Sequence, residues 1–231
     1  MGYNYNFALT SILFMSLTMV FYLRQNRMRD TQDHIYTVML FGGLTAVLFD
    51  FIAAAIEPLG TQLPVWLSYL CNMLFILGEQ LCLPAFMVFS LLAAGKYNRM
   101  RKTVRRLIMI PFLIVALLTL IAPLCTLGIF YIGAENVYCQ GATHWCLYAA
   151  TGLYMSGSYL VLLLNYRAVD RPKRRSILFF GAVLLLALVL QVLYPRYLLA
   201  TSATALALTA MYYVLRAPGV QADPSTGALH R

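Results

Sequence analysis

The chain has 231 residues, of which 61% are hydrophobic and only 11% are charged, and its formal net charge is +9. A soluble domain carries about 25% charged residues, so this composition excludes a chain that faces water on all sides. The basic residues lie in short tracts between long apolar blocks, which argues against nucleic-acid binding and indicates the lipid bilayer as the main partner.

Seven apolar segments are long enough to cross the hydrocarbon core as helices, which requires about 20 mainly apolar residues each. The predicted spans are residues 7–23, 35–56, 66–95, 107–125, 145–166, 176–193 and 197–215. A single helix over 176–215 would extend about 60 Å, twice the hydrocarbon thickness, and Pro195 and Arg196 interrupt it between two tyrosines. The sequence therefore predicts an all-α, polytopic membrane protein built as a seven-transmembrane helix bundle.

The distribution of Lys and Arg predicts the orientation of this bundle. The first, third and fifth loops are rich in basic residues, and Arg216 and Arg231 follow the last span. Arg196 is the one exception among the 17 Lys and Arg residues. Because basic loops remain in the cytoplasm, we expect a multi-pass protein of the cell membrane with its N-terminus outside and its C-terminus inside.

Cysteine and histidine positions give no indication of a metal or cofactor. Cys139 and Cys146 flank the end of the predicted outer fourth loop, where either a disulfide or two free thiols can occur. A retinal protein would need a Lys in its last span, but all three lysines lie in cytoplasmic loops. We therefore predict no cofactor and no metal site.

Two acidic residues lie well inside predicted spans, Asp50 in the second and Glu79 in the third. Charges at this depth are costly and are by default functional candidates. Asn72 lies seven residues before Glu79, on the same helix face. One interpretation is a pocket for an unknown small ligand in the outer half, lined by Asp50, Asn72 and Glu79, with Arg196 near its mouth. The alternative is structural: Asp50 pairs with Arg196, and Glu79 stays protonated and hydrogen-bonds across the bundle.

After Arg216 the composition becomes polar, and the last nine residues read Asp-Pro-Ser-Thr-Gly-Ala-Leu-His-Arg. This segment resembles the D-x-L-T-G-x-x-N-R signature that opens the GGDEF domains of bacterial diguanylate cyclases. The matching residues are Asp223, Thr226, Gly227 and Arg231, whereas Ser225 replaces the usual Leu and His230 replaces the usual Asn. A disordered C-terminal tail is the alternative interpretation.

The resemblance implies that residues 1–216 are a seven-helix sensor domain and that residues 217–231 are a cytoplasmic linker and the start of a GGDEF-type output domain. In that family the signature couples the input helix to the catalytic domain, which implies a signal-coupling role for Asp223, Thr226, Gly227 and Arg231. The cyclases act as dimers, so the intact protein is expected to be a homodimer. The loop that binds GTP and metal is absent from this chain, which is therefore not expected to make cyclic di-GMP by itself.

Three functions remain open at this point. The first is a sensor domain that passes a signal to a cytoplasmic output domain. The second is a small membrane transporter or channel that uses Asp50 and Glu79 as a polar pathway. The third is an intramembrane enzyme that acts on lipid through the same two acids.

Overall fold

The computed structural model describes residues 6–24, 31–125, 127–193 and 199–216. Within these ranges the chain is mainly helical, as predicted, and contains one small β-hairpin that the all-α prediction did not include. The helices are α1 (Asn6–Arg24), α2 (Thr31–Ile56), α3 (Val65–Ala93), α4 (Lys102–Leu107), α5 (Ile110–Leu120), α6 (Trp145–Leu164), α7 (Arg171–Leu193) and α8 (Leu199–Arg216). The strands are β1 (Phe130–Ile132) and β2 (Tyr138–Gln140), which pair antiparallel.

Five helical segments in the described ranges are long and apolar enough to cross a membrane. They are α1, α2, α3, α6 and the segment that α4 and α5 form together. Large apolar side chains project outward from them: Leu13, Leu117 and Leu164 are 64%, 62% and 74% exposed. Such an apolar exterior suits lipid rather than water. Helices α7 and α8 overlap the sixth and seventh predicted spans, although α7 begins five residues before the predicted 176, at Arg171. A seven-fold crossing and its orientation stay predictions.

The fourth predicted span, 107–125, differs from the structure at both ends, since the helical segment begins at Lys102 and ends at Leu120. The segment is interrupted before Pro111, which has no backbone N–H to donate. Tyr154 of α6 occupies the interruption: its hydroxyl donates to the Ile108 carbonyl at 2.6 Å and accepts from the Phe112 N–H at 3.1 Å. A side chain inserted into the helical hydrogen-bond ladder thus fixes α6 against α4 and α5.

Helices α2 and α3 pack backbone to backbone through two glycines. A Cβ atom added to Gly78 would lie 2.7 Å from the Gly42 carbonyl oxygen and 2.8 Å from the Ala46 nitrogen. A Cβ on Gly42 would lie 2.9 Å from the Gly78 carbonyl oxygen. Small residues permit this close approach, which supplies packing energy between helices where lipid removes the hydrophobic driving force.

The β-hairpin lies over one end of the bundle, which we call the hairpin end. Asn136, with a φ of 60°, forms its turn and donates from Nδ2 to the carbonyls of Gly60 at 2.7 Å and Leu63 at 2.8 Å. Asn tolerates this left-handed conformation better than most residues. The Tyr69 hydroxyl accepts from the Ile132 N–H at 3.1 Å. The hairpin is therefore anchored both to the α2–α3 loop and to α3.

At the opposite end, three tyrosines join α1, α2 and α8. The ring of Tyr22 in α1 packs edge to face against Tyr36 of α2 and Tyr212 of α8, with centroids 5.2 and 6.5 Å apart. The Tyr36 hydroxyl donates to the Leu208 carbonyl of α8 at 2.7 Å. The second half of α8 is thus held by specific polar and aromatic contacts.

Candidate ligand-binding cavity

A cavity of about 420 Å³ lies inside the bundle, bordered by α2, α3, α6, α7 and α8 and by the β-hairpin at its hairpin end. We call it the central cavity. Its α3 wall runs from Ser68 to Leu83, a rise of about 22 Å along the helix. Its volume is within the range typical of small-molecule sites, about 300–1,000 Å³.

Asp50 of α2 faces the central cavity and is 7% exposed. Its Oδ2 atom accepts a hydrogen bond from the Thr201 hydroxyl of α8 at 2.6 Å. Thr201 also lines the cavity and is itself buried. A short hydrogen bond to a carboxylate is stronger than one between neutral groups, so this pair is a specific connection between α2 and α8.

Four polar residues of α3 line the cavity: Ser68, Asn72 and Glu79, which share one helix face, and Gln80, which follows Glu79. The Asn72 amide donates to the Ser68 carbonyl at 2.9 Å, which fixes the side chain along its own helix. Glu79 is half-buried, follows the close-packed Gly78, and lies near enough to Asp50 for the two carboxyl groups to interact electrostatically. The α2–α3 packing therefore sets the separation of the two acids.

Gln80 lines the cavity and has a buried side-chain oxygen without a hydrogen-bond partner. It is 6% exposed, and its Oε1 atom has no hydrogen-bond partner. Buried acceptors in proteins are nearly always paired, because leaving one unpaired costs about 1–3 kcal/mol. An unpaired acceptor that lines a cavity is therefore expected to serve whatever occupies that cavity.

Helix α6 and the residues before it form the wall near the hairpin end. His144 lines the cavity, and its Nδ1 atom lies 3.2 Å from the Ile129 carbonyl oxygen. Partial burial lowers the pKa of His144, and the backbone contact to Ile129 opposes that shift without cancelling it. Thr151 lines the next turn of α6, with its hydroxyl donating to the Leu147 carbonyl at 2.8 Å.

The α7 wall is apolar. Phe180 and Leu184 line the cavity, and the Phe180 ring stacks on Phe86 of α3 with centroids 4.2 Å apart. Phe75 and Ile76 of α3 add further apolar surface. The central cavity thus combines a carboxylate-bearing side formed by α2 and α3 with an aromatic and aliphatic side, which is the usual composition of an organic ligand site.

The structure brings together three of the four residues predicted to bind ligand. Asp50, Asn72 and Glu79 all line the central cavity. Arg196 and the predicted coupling residues Asp223, Thr226, Gly227 and Arg231 lie outside the described residues. The predicted alternative partner of Asp50 was Arg196, whereas the hydrogen bond that the structure describes comes from Thr201. Ligand binding by these residues stays a prediction.

The two loop cysteines are free thiols in the structure, with Cys139 in β2 and Cys146 in the first turn of α6. Their disulfide stays a prediction. Among the described residues, no three His, Cys, Asp or Glu side chains are grouped so that they could hold a metal ion.

Sequence reasoning did not assign Thr201, Gln80 and His144 to the site. Thr201 and Thr204 do lie three residues apart on α8, so both face the cavity, and this spacing was the available signal. Gln80 directly follows Glu79, but an adjacent residue on a helix normally points elsewhere. Beyond these internal features, the sequence matches no protein-family model, and no curated protein matches it significantly.

Proposed function

We propose that residues 1–216 form a membrane-embedded signal-input domain, that the central cavity binds a small ligand, and that α8 carries the response to a cytoplasmic output domain. One observation supports this proposal above the others. The hydrogen bond from Thr201 to Asp50 joins a cavity-lining carboxylate to the helix that leads directly into residues 217–231. Occupation of the cavity and the position of α8 are therefore physically linked.

The second half of α8 is held in place, so the first half is the part that a ligand can move. Tyr36 and Tyr212 bind α8 to α1 and α2 at the end remote from the hairpin. A ligand that competes for the Asp50 carboxylate removes the Thr201 contact, while the tyrosine contacts remain as a pivot. The free energy available to shift α8 is the difference between the ligand's affinities for the two packings.

The resemblance of residues 223–231 to the GGDEF signature supports a diguanylate cyclase as the proposed output. The positive-inside distribution of Lys and Arg supports an orientation in which the C-terminal end of α8 lies in the cytoplasm and the hairpin end of the cavity faces the outside. In the proposed arrangement the ligand enters from outside or from the outer leaflet, and α8 changes how two catalytic domains meet in a homodimer.

The first test is to read the coding sequence that follows Arg231, where the proposal expects the remainder of a GGDEF domain in frame. The second test joins the remainder of a GGDEF domain, from the residue after its signature onward, to residue 231 and measures cyclic di-GMP formation in membranes. Wild type is compared with Asp50→Asn, Glu79→Gln and Thr201→Val, and with Asp170→Asn as a control in an exposed loop. Altered basal activity in the first three variants, but not in the control, is expected. Equal activity and equal signal response in all variants would refute the proposal.

Transport is the second candidate, favoured by the two carboxyl groups within one cavity that extends about 22 Å along α3. Reconstitution into proteoliposomes separates it from sensing. A transporter would move a bound solute across the bilayer at a rate that Asp50→Asn and Glu79→Gln reduce, whereas a sensor domain would bind without net flux.

A further inference from the structure

Three acidic or amide side chains that line the central cavity offer hydrogen-bond acceptors to a ligand. The carboxyl groups of Asp50 and Glu79 accept when ionised, and the Gln80 Oε1 atom is a buried acceptor without a partner. Thr201 already donates its proton to Asp50, and Thr204 donates to the Ala200 carbonyl of its own helix. A ligand that pairs with these acceptors must bring donors.

The charge of the lining has one sign. Among the described residues the cavity wall contains three carboxyl side chains, those of Asp50, Glu57 and Glu79, and no Lys or Arg. Burying a carboxylate away from water is costly unless a cation or several donors compensate it. A positively charged ligand supplies that compensation for Asp50 and Glu79 together.

The remaining walls suit the organic part of such a ligand. Phe75 and Phe180 line the cavity beside the acidic side, and Tyr138 and Tyr148 line it toward the hairpin end. Aromatic faces attract organic cations through the ring quadrupole and also pack against hydrocarbon. A fully hydrated inorganic ion would leave these apolar surfaces without contacts.

We propose that the ligand of the central cavity is a small organic cation, namely a compound with a protonated amine on an aromatic or aliphatic body. This inference rests on the proposed ligand-binding role of the cavity and specifies its chemistry. The ammonium group donates to the Asp50 and Glu79 carboxylates and to Gln80 Oε1. The hydrocarbon body packs between Phe75, Phe180 and Leu184.

The test uses the full chain purified in nanodiscs and three probes of nearly equal shape: phenethylamine, phenethyl alcohol and phenylpropanoate. Binding is measured by calorimetric titration and by the concentration dependence of Tm, because a ligand of the folded state raises Tm by mass action. We expect the amine to bind and to raise Tm, with affinity about tenfold or more above that of the alcohol and the carboxylate, since charge-assisted hydrogen bonds are roughly twice as strong as neutral ones.

Three variants locate the bound amine. Asp50→Asn and Glu79→Gln keep the shape of each side chain and remove its charge, and Gln80→Met removes the unpaired acceptor at similar volume. Each is expected to weaken amine binding, the two charge variants by about tenfold or more. Asp170→Asn removes one exposed carboxylate elsewhere and should bind the amine like wild type. Circular dichroism and size-exclusion profiles identify variants that fail to fold. If a charge variant fails to fold, Gln80→Met provides the binding test in its place.

The outcomes separate this inference from the proposed function. The amine assignment is wrong if the chain prefers the alcohol or the carboxylate, or if it binds none of the three probes. The cyclase fusion tests the sensor role separately, because it needs no added probe. Amine binding that Asp50→Asn, Glu79→Gln and Gln80→Met all leave unchanged also overturns the assignment. Amine binding that depends on these residues, together with a fusion that ignores them, supports the cation site and refutes the sensor role.

Discussion

Replacing Thr201 by Val removes the hydroxyl that connects α8 to Asp50 while keeping the shape of the side chain. The hydrogen bond is 2.6 Å long and joins two buried groups. Bonds to charged groups contribute about 1.5–3 kcal/mol in soluble proteins. Hydrogen bonds between membrane helices average about 0.6 kcal/mol and reach about 1.7. Because this bond is short and its acceptor is a carboxylate, we expect a coupling free energy near the upper membrane value, about 1–1.7 kcal/mol.

A double-mutant cycle measures that coupling directly. The free energies of unfolding of wild type, Thr201→Val, Asp50→Ala and the double variant are obtained by reversible denaturation in mixed micelles. The cycle isolates the pairwise contribution, because effects of each side chain on other neighbours cancel. Thr201→Val should cost clearly less stability when Asp50 is already absent.

Thr204 supplies the matched control for this cycle. It lies on the same helix and lines the same cavity, but its hydroxyl donates to the Ala200 carbonyl of α8 itself at 3.0 Å. Thr204→Val should therefore add to Asp50→Ala within about 0.5 kcal/mol. If the coupling measured for Thr201 is no larger than the one for Thr204, the inference that this bond connects the cavity to α8 is wrong.

Three further predictions follow from the packing and the hairpin. Gly78→Ala places a Cβ atom 2.7 Å from a carbonyl oxygen of α2 and should lower the free energy of unfolding by about 1–3 kcal/mol in the same micelle assay. The control Gly152→Ala meets no atom within 4 Å and should not lower the free energy of unfolding. Asn136→Ala removes two hydrogen bonds and leaves Ala at a φ of 60°, so amide exchange over residues 129–141 should accelerate, by about tenfold for each 1.4 kcal/mol lost. His144 has a lowered pKa in the folded protein, so the unfolded chain binds its proton more readily. The contribution of this group to stability is complete above about pH 6.5, its unfolded pKa, and is lost as the pH falls through the folded pKa. His144→Gln should therefore remove this pH dependence from the free energy of unfolding.

Within the described residues, hydropathy located every helix longer than ten residues, because about 20 consecutive apolar residues favour a transmembrane helix. The division between the sixth and seventh predicted spans needed Pro195 and Arg196 as well. The ends were less accurate where backbone chemistry decides them. The fourth helical segment begins at Lys102, among basic residues that hydropathy scores as loop, and the chain leaves it after Leu120, shortly before Pro123. Helix termini depend on which N–H and C=O groups find partners, and a hydropathy average does not contain that information.

The acidic residues of the site were predictable for a different reason. An ionisable group inside an apolar span is rare and costly, so Asp50 and Glu79 stand out in the sequence. Threonines do not stand out, because most bond to their own helix, as Thr119 does to the Val115 carbonyl. Only the packing of α8 against α2 distinguishes Thr201 from such residues.

The hairpin was missed because its strands are three residues long and lie within an interval read as a loop. The pattern was present in outline: aromatic and β-branched residues at 130–132, Gly133, then Asn136 before a second such run. Its stability comes from contacts distant in sequence, namely those of Asn136 with the α2–α3 loop and of Ile132 with Tyr69. No local pattern reports these contacts.

The two sides of the central cavity differ in how readily they can move, and this difference favours α8 as the element that responds. On one side the backbones of α2 and α3 touch at Gly42 and Gly78, so neither helix can approach the other further, and Glu79 is held next to that contact. On the other side α8 meets the Asp50 carboxylate through the hydroxyl of Thr201. A hydrogen bond can be exchanged for a bond to ligand at little net cost, whereas a close backbone packing cannot be altered without strain. Displacement caused by a ligand should therefore appear first at the start of α8 and leave the α2–α3 pair in place.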